Sequence, residues 1–190
     1  KRSKIGLKQV MPKGNMVLEQ PVPGTNSLLY YPTPKQFEFH TGRGVFYERA
    51  ALCGGGAGKT ICGLFENIRW AIDYPGSVGV LTEPSYPMVR LNLFPALESK
   101  YLLGCPFPFR NHPYVANFNR LEMRLDWRNG SQWWFRSWDN PESIEGANID
   151  YIHLDGARLI LHLDTALLTA KRRLRGSGRC KVPVKTALWI

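Results

Sequence analysis

The sequence predicts an α/β protein with a mostly parallel central sheet, flanking helices and an antiparallel hairpin. Short apolar runs alternate with segments of helical spacing, which is typical of βαβ units. One further stretch alternates apolar and polar residues around an Asn-Gly pair, which is typical of a hairpin. With 190 residues and 44% hydrophobic content, the chain is long enough for one domain with a core.

The first βαβ unit is predicted between residues 44 and 99. The run GVFYERAALC (44–53) predicts a strand that leads into a glycine-rich loop. SVGVLTE (77–83) predicts a buried strand, and MVRLNLFPALES (88–99) predicts a Pro-flanked helix. Between the loop and the breaker DYPG (73–76), apolar residues recur at helical spacing: Ile61, Leu64, Phe65, Ile68 and Ile72.

The second half of the chain adds a hairpin and another βαβ unit. In residues 120–138, Asn129-Gly130 predicts the turn. IDYIHLD (149–155) predicts a buried strand, DTALLTAKRRLR (164–175) a helix and VPVKTALWI (182–190) a strand. The first hairpin strand is predicted to place four apolar residues on one face, namely Leu121, Met123, Leu125 and Trp127.

The chain divides into two predicted parts. Residues 1–33 are rich in Pro, Gly and Lys without a sustained period and predict an N-terminal arm, whereas 34–190 predict the globular domain. Because the chain starts without Met and ends in an apolar run, we expect it to be part of a longer protein. No apolar run has the length of a membrane span and no signal peptide is evident, so we expect a soluble, intracellular protein without membrane attachment.

The composition favours a polyanionic partner. Twenty-five Lys and Arg against fifteen Asp and Glu give a net charge of +10, which favours nucleic acid over membrane because no basic amphipathic helix stands out. A basic protein kept soluble by its charge is the alternative. The cysteines and histidines lack zinc-ligand spacing. The tryptophans of 127–138 favour core packing over base stacking because of their place in an alternating hairpin.

The stretch CGGGAGKT (53–60) has the composition of a phosphate-binding loop. Such a loop needs small residues so that backbone N–H groups converge on phosphate, a Lys for the β and γ oxygens and a hydroxyl for Mg²⁺. Lys59 and Thr60 supply the last two, and Cys53 replaces the Gly of the strict pattern. A glycine turn before an ordinary helix is the alternative. The predicted nucleotide-binding positions of the loop are Gly54, Gly55, Gly56, Ala57, Gly58, Lys59 and Thr60.

A carboxylate for Mg²⁺ is expected at the end of a neighbouring strand. YIHLD ends in Asp155, which is placed for this role with Thr60. Alternatively, Asp155 only caps the segment that follows. The residue after it is Gly156, so no second acid follows the first.

Four motifs in order carry a resemblance to a known family. PTPKQFEFH, CGGGAGKT, LTEPSYPMV and FRSWDNPESIEGANIDYIHLDGAR resemble the ATPase domain of the large terminase subunit, the genome-packaging motor of tailed bacteriophages and related viruses. The resemblance covers residues 30 to 190. It implies a P-loop nucleoside triphosphate hydrolase fold and an ATPase that drives double-stranded DNA into a procapsid.

The resemblance also assigns residues, ligands and partners. It implies that Gln36 recognises adenine, that Lys59 is catalytic on the phosphates, and that Thr60 and catalytic Asp155 hold Mg²⁺. The implied ligands are ATP and Mg²⁺, and the implied partners are double-stranded DNA, the portal protein and the small terminase subunit. The resemblance further implies a homo-oligomeric ring in the host cell cytoplasm, transiently docked on the procapsid. The family's nuclease domain is not expected within these residues.

Two departures from the family pattern bear on catalysis. Many members carry Arg where this chain has Gly55, and most carry a catalytic Glu where it has Gly156. The second departure raises an alternative function, a nucleotide-binding assembly module that does not hydrolyse ATP. If hydrolysis persists, Glu83 at the end of the adjacent strand is a substitute base. We expect Gly156→Glu to raise turnover if the missing acid limits it. A helicase or a small-molecule kinase is a further alternative.

A basic cluster marks the predicted DNA contact. AKRRLRGSGRCK (170–181) crowds a helix end and loop, and the predicted contacts are Arg172, Arg173 and Arg175. A solvated basic helix end, favoured by the helix dipole, is the alternative. As a further alternative, one of these arginines acts as a finger that reaches the γ-phosphate bound to a neighbouring subunit.

Overall fold

The structure, a computed structural model, describes residues 8–10, 17–20, 28–43, 45–99, 102–180 and 187–189. The segment predicted as an arm contains three short strands: β1 (Lys8–Val10), β2 (Val17–Gln20) and β3 (Leu28–Tyr30). They pair antiparallel in the order β1-β2-β3. The sequence of this segment showed no periodic pattern, so these strands were missed. The division at residue 33 stays a prediction.

The central sheet has seven strands in the order β4-β10-β9-β5-β8-β7-β6. From β4 to β8 every neighbouring pair is parallel, and β7 and β6 add two antiparallel pairs. The predicted fold class is therefore confirmed. The strands are β4 (Glu48–Arg49), β5 (Val78–Glu83), β6 (Val115–Asn119), β7 (Arg124–Trp127), β8 (Gln132–Ser137), β9 (Tyr151–Leu154) and β10 (Ala187–Trp189).

Helices cover both faces of this sheet. They are α1 (Pro34–Thr41), α2 (Lys59–Asp73), α3 (Tyr86–Met88), α4 (Phe94–Glu98) and α5 (Leu163–Arg173). A π-helical turn (Val89–Leu93) joins α3 to α4, so the helix predicted for 88–99 forms with one widened turn. No helix among the described residues has the length and apolarity needed to cross a lipid bilayer.

Alternation along the strands divides the core into two clusters, one on each face. Tyr151 faces the cluster that contains α2, whereas the next residue, Ile152, faces the cluster that contains α5. Trp133 and Phe135 lie on the α2 side and have no exposed surface. Trp134 is partly buried against the cluster on the α5 side. This packing confirms the core interpretation over a base-stacking platform.

The hairpin forms, but with different bounds and neighbours from those predicted. Leu121 is 98% exposed because residues 120–123 make a turn, in which the Asn119 side chain accepts hydrogen bonds from the backbone N–H groups of Leu121 and Glu122. The prediction that Leu121 lies on the apolar face of the hairpin was therefore wrong. The second strand, β8, also pairs in parallel with β5, so the hairpin belongs to the central sheet.

Helix α1 was not predicted, although its start signal is visible in the sequence. Thr33 and Gln36 form a capping box, with Pro34 in the first helical position. The Gln36 side-chain oxygen accepts a hydrogen bond from the Thr33 backbone N–H at 2.8 Å. The motif T-P-K-Q at 33–36 is the signal that identifies this helix start.

A buried ionic cluster joins the strand before the glycine loop to the helix after it. Arg49 on β4 donates to a Glu66 carboxylate oxygen on α2 at 2.9 Å, and His40 contacts the other oxygen at 2.5 Å. Burial favours the neutral acid, but the His40 hydrogen bond and the Arg49 charge outweigh it and lower the pKa of Glu66 to about 2. This ion pair braces both ends of the loop.

Candidate nucleotide-binding site

The glycine loop opens onto a cavity of about 770 Å³ at the carboxyl ends of β5 and β9. Ligands of open α/β sheets bind at this edge, because the loops that follow the strands project there. Lys59, Thr60, Asp155 and Gly156 all line the cavity. Positions 95 residues apart in the chain therefore meet in one site.

The loop has the backbone geometry of a phosphate cradle. Gly56 and Gly58 have φ angles of 73° and 77°, which side-chain-bearing residues rarely adopt. The fifteen-residue helix α2 begins directly afterwards, so its free N–H groups and its positive dipole end face the cavity. The loop and helix start can bind anionic oxygens, as the sequence predicts.

The Lys59 ammonium lies against the loop itself. It donates to the backbone carbonyls of Cys53 at 3.0 Å and of Gly54 at 2.8 Å. The flexible lysine side chain can exchange these carbonyls for phosphate oxygens without a change in the backbone.

Thr60 and Asp155 are in direct contact. The Thr60 hydroxyl donates to Asp155 Oδ2 at 2.5 Å. A hydroxyl and a carboxylate are hard oxygen donors of the kind that Mg²⁺ binds, so these two residues fit the ion. The Gly156 backbone N–H donates to the other Asp155 oxygen at 3.0 Å, which fixes the carboxylate orientation.

A close approach of α2 to β9 sets this contact. A Cβ added to Gly63 would lie 2.4 Å from His153 Nε2, so only glycine lets the helix rest on the imidazole. His153 is buried, and Asn67 on α2 also contacts its Nδ1 at 3.0 Å. Gly63 lies one turn after Thr60, and Asp155 lies two residues after His153. This close packing therefore brings Thr60 and Asp155 together, a constraint that sequence reasoning missed.

Gln36 lies beside the loop. Its amide nitrogen donates to the Gly58 backbone carbonyl at 3.2 Å while its oxygen completes the capping box of α1. These contacts place the side chain at the end of the phosphate loop. Its role in adenine recognition stays a prediction.

Gly156 occupies a position that disfavours a side chain. Its φ angle is 64°, and an added Cβ would lie 3.0 Å from Glu83 Oε2 and 3.2 Å from Pro84 Cδ. Gly156→Glu would therefore strain the backbone and crowd Glu83 in addition to supplying an acid, and the expected rise in turnover stays a prediction. Burial, followed by the charge of Asp155, raises the pKa of Glu83 to about 7.

The basic cluster lies at the other edge of the sheet. The backbone N–H of Ile149, before β9, donates to the Arg173 carbonyl, whereas Asp155 follows the end of β9. Between these two positions lies β9, whose four residues of extended chain span about 13 Å. The arginines at 172, 173 and 175 are not among the residues that line the cavity. Arg158 does line that cavity and was missed as a candidate, although it stands within the LDGAR motif.

The architecture matches solved structures of one class. The ATPase domain of the large terminase from Thermus phage P74-26 superposes with a TM-score of 0.57 and 21% identity, over 85% of this chain and 64% of that chain. The chain has the fold of a large terminase ATPase domain. The large terminase of a second thermophilic bacteriophage, in complex with ATP-γ-S, gives a TM-score of 0.59 and 16% identity, over 83% of this chain. The ADP complex of that second terminase gives 0.58 and 20%.

The match to the terminase fold is structural. No protein-family model and no curated protein matches this chain. The chain spans 64% of the length of the P74-26 domain and 37% of that of the second phage terminase with ATP-γ-S. The superposition on the terminase ATPase domains confirms the predicted P-loop fold.

Proposed function

We propose that this chain is the ATP-hydrolysing motor domain of a viral large terminase subunit, which drives double-stranded DNA into a procapsid. The observation that carries the proposal is the convergence of Lys59, Thr60 and Asp155 on one cavity of a terminase ATPase fold. The second phage terminase, which shares this fold, was solved with ATP-γ-S and with ADP, which supports ATP as the ligand here.

Each of the three residues has a defined task in this proposal. The backbone N–H groups of the loop and the ammonium of Lys59 bind the β and γ phosphates. Thr60 and Asp155 would hold Mg²⁺, which would neutralise charge on the transferring phosphoryl group. The domain then catalyses hydrolysis by positioning and charge stabilisation, with water as the acceptor.

The proposed DNA contact is the basic cluster of Arg172, Arg173 and Arg175. Arg172 and Arg175 are exposed at the end of α5, and the net charge of +10 supports a polyanionic partner. Because this cluster lies at the opposite edge from the cavity, DNA and ATP occupy separate surfaces of the domain. By the same proposal the domain acts in the host cytoplasm, in a ring docked on the portal protein of the procapsid and assisted by the small terminase subunit.

One observation favours a second candidate function. Gly156 supplies no carboxylate where the terminase pattern has its catalytic Glu, so the chain would serve as a nucleotide-binding assembly module without turnover. ATP turnover, measured with and without double-stranded DNA, separates the two. The motor hydrolyses ATP and the module only binds it.

DNA binding is tested by salt dependence. Replacing the three arginines of the cluster by Gln should weaken binding and reduce its salt dependence, because fewer counterions are released when phosphate contacts are lost. A matched control replaces three exposed arginines elsewhere, Arg90, Arg110 and Arg128, and keeps the same net charge. Equal loss in both variants would contradict the assignment of the cluster.

A further inference from the structure

The carboxyl group of Glu83 is buried at the wall of the nucleotide cavity. Glu83 ends β5, is 1% exposed and lines the cavity. Its Oε1 accepts a hydrogen bond from Asn92 Nδ2 at 3.1 Å. Its Oε2 is buried and has no hydrogen-bond partner among the described residues. An unpaired buried carboxylate oxygen is costly, so a function that needs it free explains its presence.

The sheet register places this oxygen beside the Mg²⁺ ligand. Strands β5 and β9 are parallel neighbours with Thr82 opposite Leu154, and the Asp155 backbone N–H donates to the Thr82 carbonyl at 3.0 Å. Glu83 and Asp155 are thus the next residues on two adjacent strands, at the edge where the cavity opens.

Glu83 also lies against position 156. A Cβ on Gly156 would lie 3.0 Å from Glu83 Oε2, so a side chain at 156 would crowd the Glu83 carboxyl group. The left-handed glycine avoids that crowding. The site therefore keeps one carboxylate beside Asp155, but supplies it from β5.

We propose that Glu83 is the general base of ATP hydrolysis in this chain. The inference rests on the proposed ATPase function. Glu83 Oε2 accepts a proton from the water whose oxygen forms a bond to the γ-phosphorus. The bond from that phosphorus to the β–γ bridging oxygen breaks, and its electron pair leaves with ADP. Glu83 afterwards releases the proton to solvent, so the products are ADP, phosphate and one proton.

The contact with Asn92 serves to aim the base. Asn92 lies in the π-helical turn and also lines the cavity. Because it binds Oε1, it leaves Oε2 on the side of Gly156. Widened turns of this kind are frequent at functional sites. Asn92 is a positioning residue in this proposal.

The test compares Glu83→Gln with the wild-type chain in two measurements, with and without double-stranded DNA. The first is the Kd of a fluorescent ATP analogue in the presence of Mg²⁺, and the second is kcat at saturating ATP. Gln keeps the shape and the Asn92 contact but accepts no proton. We expect a Kd within about threefold and a kcat lower by about 10²- to 10⁴-fold, the usual contribution of general-base catalysis. ATP should then remain intact in the bound fraction when it is analysed by chromatography.

Two control variants make the result specific. Glu142→Gln removes an exposed carboxylate in the Pro141–Ile144 turn, outside the cavity, and should leave both values unchanged. Glu83→Asp keeps the acid but withdraws it by one methylene, so its kcat should fall between those of wild type and Glu83→Gln. Circular dichroism checks that each variant folds.

Each contrary outcome has a distinct meaning. Wild-type turnover in Glu83→Gln, or a parallel loss of affinity and turnover, would overturn the role of Glu83 as base. A wild-type chain that binds ATP without hydrolysing it would also overturn that role and support the assembly module. A folded wild-type chain that does not bind ATP would instead overturn the proposed function itself.

Discussion

Neutralising Glu83 should stabilise the folded chain at neutral pH while it removes turnover. The unfolded chain releases this proton near pH 4.5, whereas the folded chain holds it until about pH 7. Stability is therefore lost as the pH rises from 4.5 through 7. Each pKa unit is worth about 1.4 kcal/mol, so ionisation costs the folded state about 3 kcal/mol above pH 7. Glu83→Gln removes this cost because an amide does not ionise.

Urea denaturation at several pH values, in buffer without metal or nucleotide, measures the effect. The difference in free energy of unfolding between Glu83→Gln and wild type should grow by about 3 kcal/mol between pH 4 and pH 8. Comparing two variants at each pH cancels the titration of all shared groups. The exposed-acid variant Glu142→Gln is measured in parallel as a control. A difference for Glu83→Gln that does not change with pH would refute the reasoning, because it would show that this carboxyl group is not held in a desolvated site.

Three further predictions concern the loop and its supports. Cys53 is exposed at the cavity, so a maleimide should label it before the other cysteines, and Mg²⁺ with ATP should slow this labelling. Mass spectrometry of the labelled peptides reports both effects. An equal rate of Cys53 labelling with and without Mg²⁺ and ATP would contradict nucleotide binding at this loop. Gly63→Ala should destabilise the chain by about 1–3 kcal/mol in urea denaturation, because the added methyl group overlaps His153. Adding His153→Ala should recover part of this loss. If the destabilisations of the two single variants simply add in the double variant, the clash is excluded. Arg49→Met should cost about 3–5 kcal/mol because Glu66 loses its buried partner, whereas a loss below about 1 kcal/mol would show that the pair does not brace the loop.

Local patterns were sufficient to predict the elements that form the site. Strand β5 is buried at every position and β9 likewise, so each appears in the sequence as a short apolar run. Helix α2 buries the predicted residues Leu64, Phe65 and Ile68. Because the loop geometry depends on glycines next to one another in the chain, the glycine-rich loop was also predictable from the sequence.

Features that depend on contacts between distant residues were not predictable in this way. A strand was predicted over 44–53, but its reduction to the two residues of β4 depends on pairing with β10, far along the chain. The approach of Gly63 to His153 depends on the packing of a helix on a sheet. The direction of the Glu83 carboxyl group depends on the β5–β9 register and on Asn92. The sequence alone therefore allowed Glu83 only as a substitute base, without a geometric reason to prefer it.

Mg²⁺-dependent ATP binding by the wild-type chain and by Lys59→Ala tests the central claim most directly. Isothermal titration should give one ATP per wild-type chain and a loss of affinity of at least about 100-fold in Lys59→Ala, because the phosphates lose the cation that the loop presents. The two hydrogen bonds that the Lys59 ammonium donates are exposed and go to loop carbonyls, so their loss should not prevent folding. Circular dichroism checks this. Equal ATP affinity in the two proteins, or no binding by the folded wild-type chain, would contradict the assignment of this cavity as an ATP site.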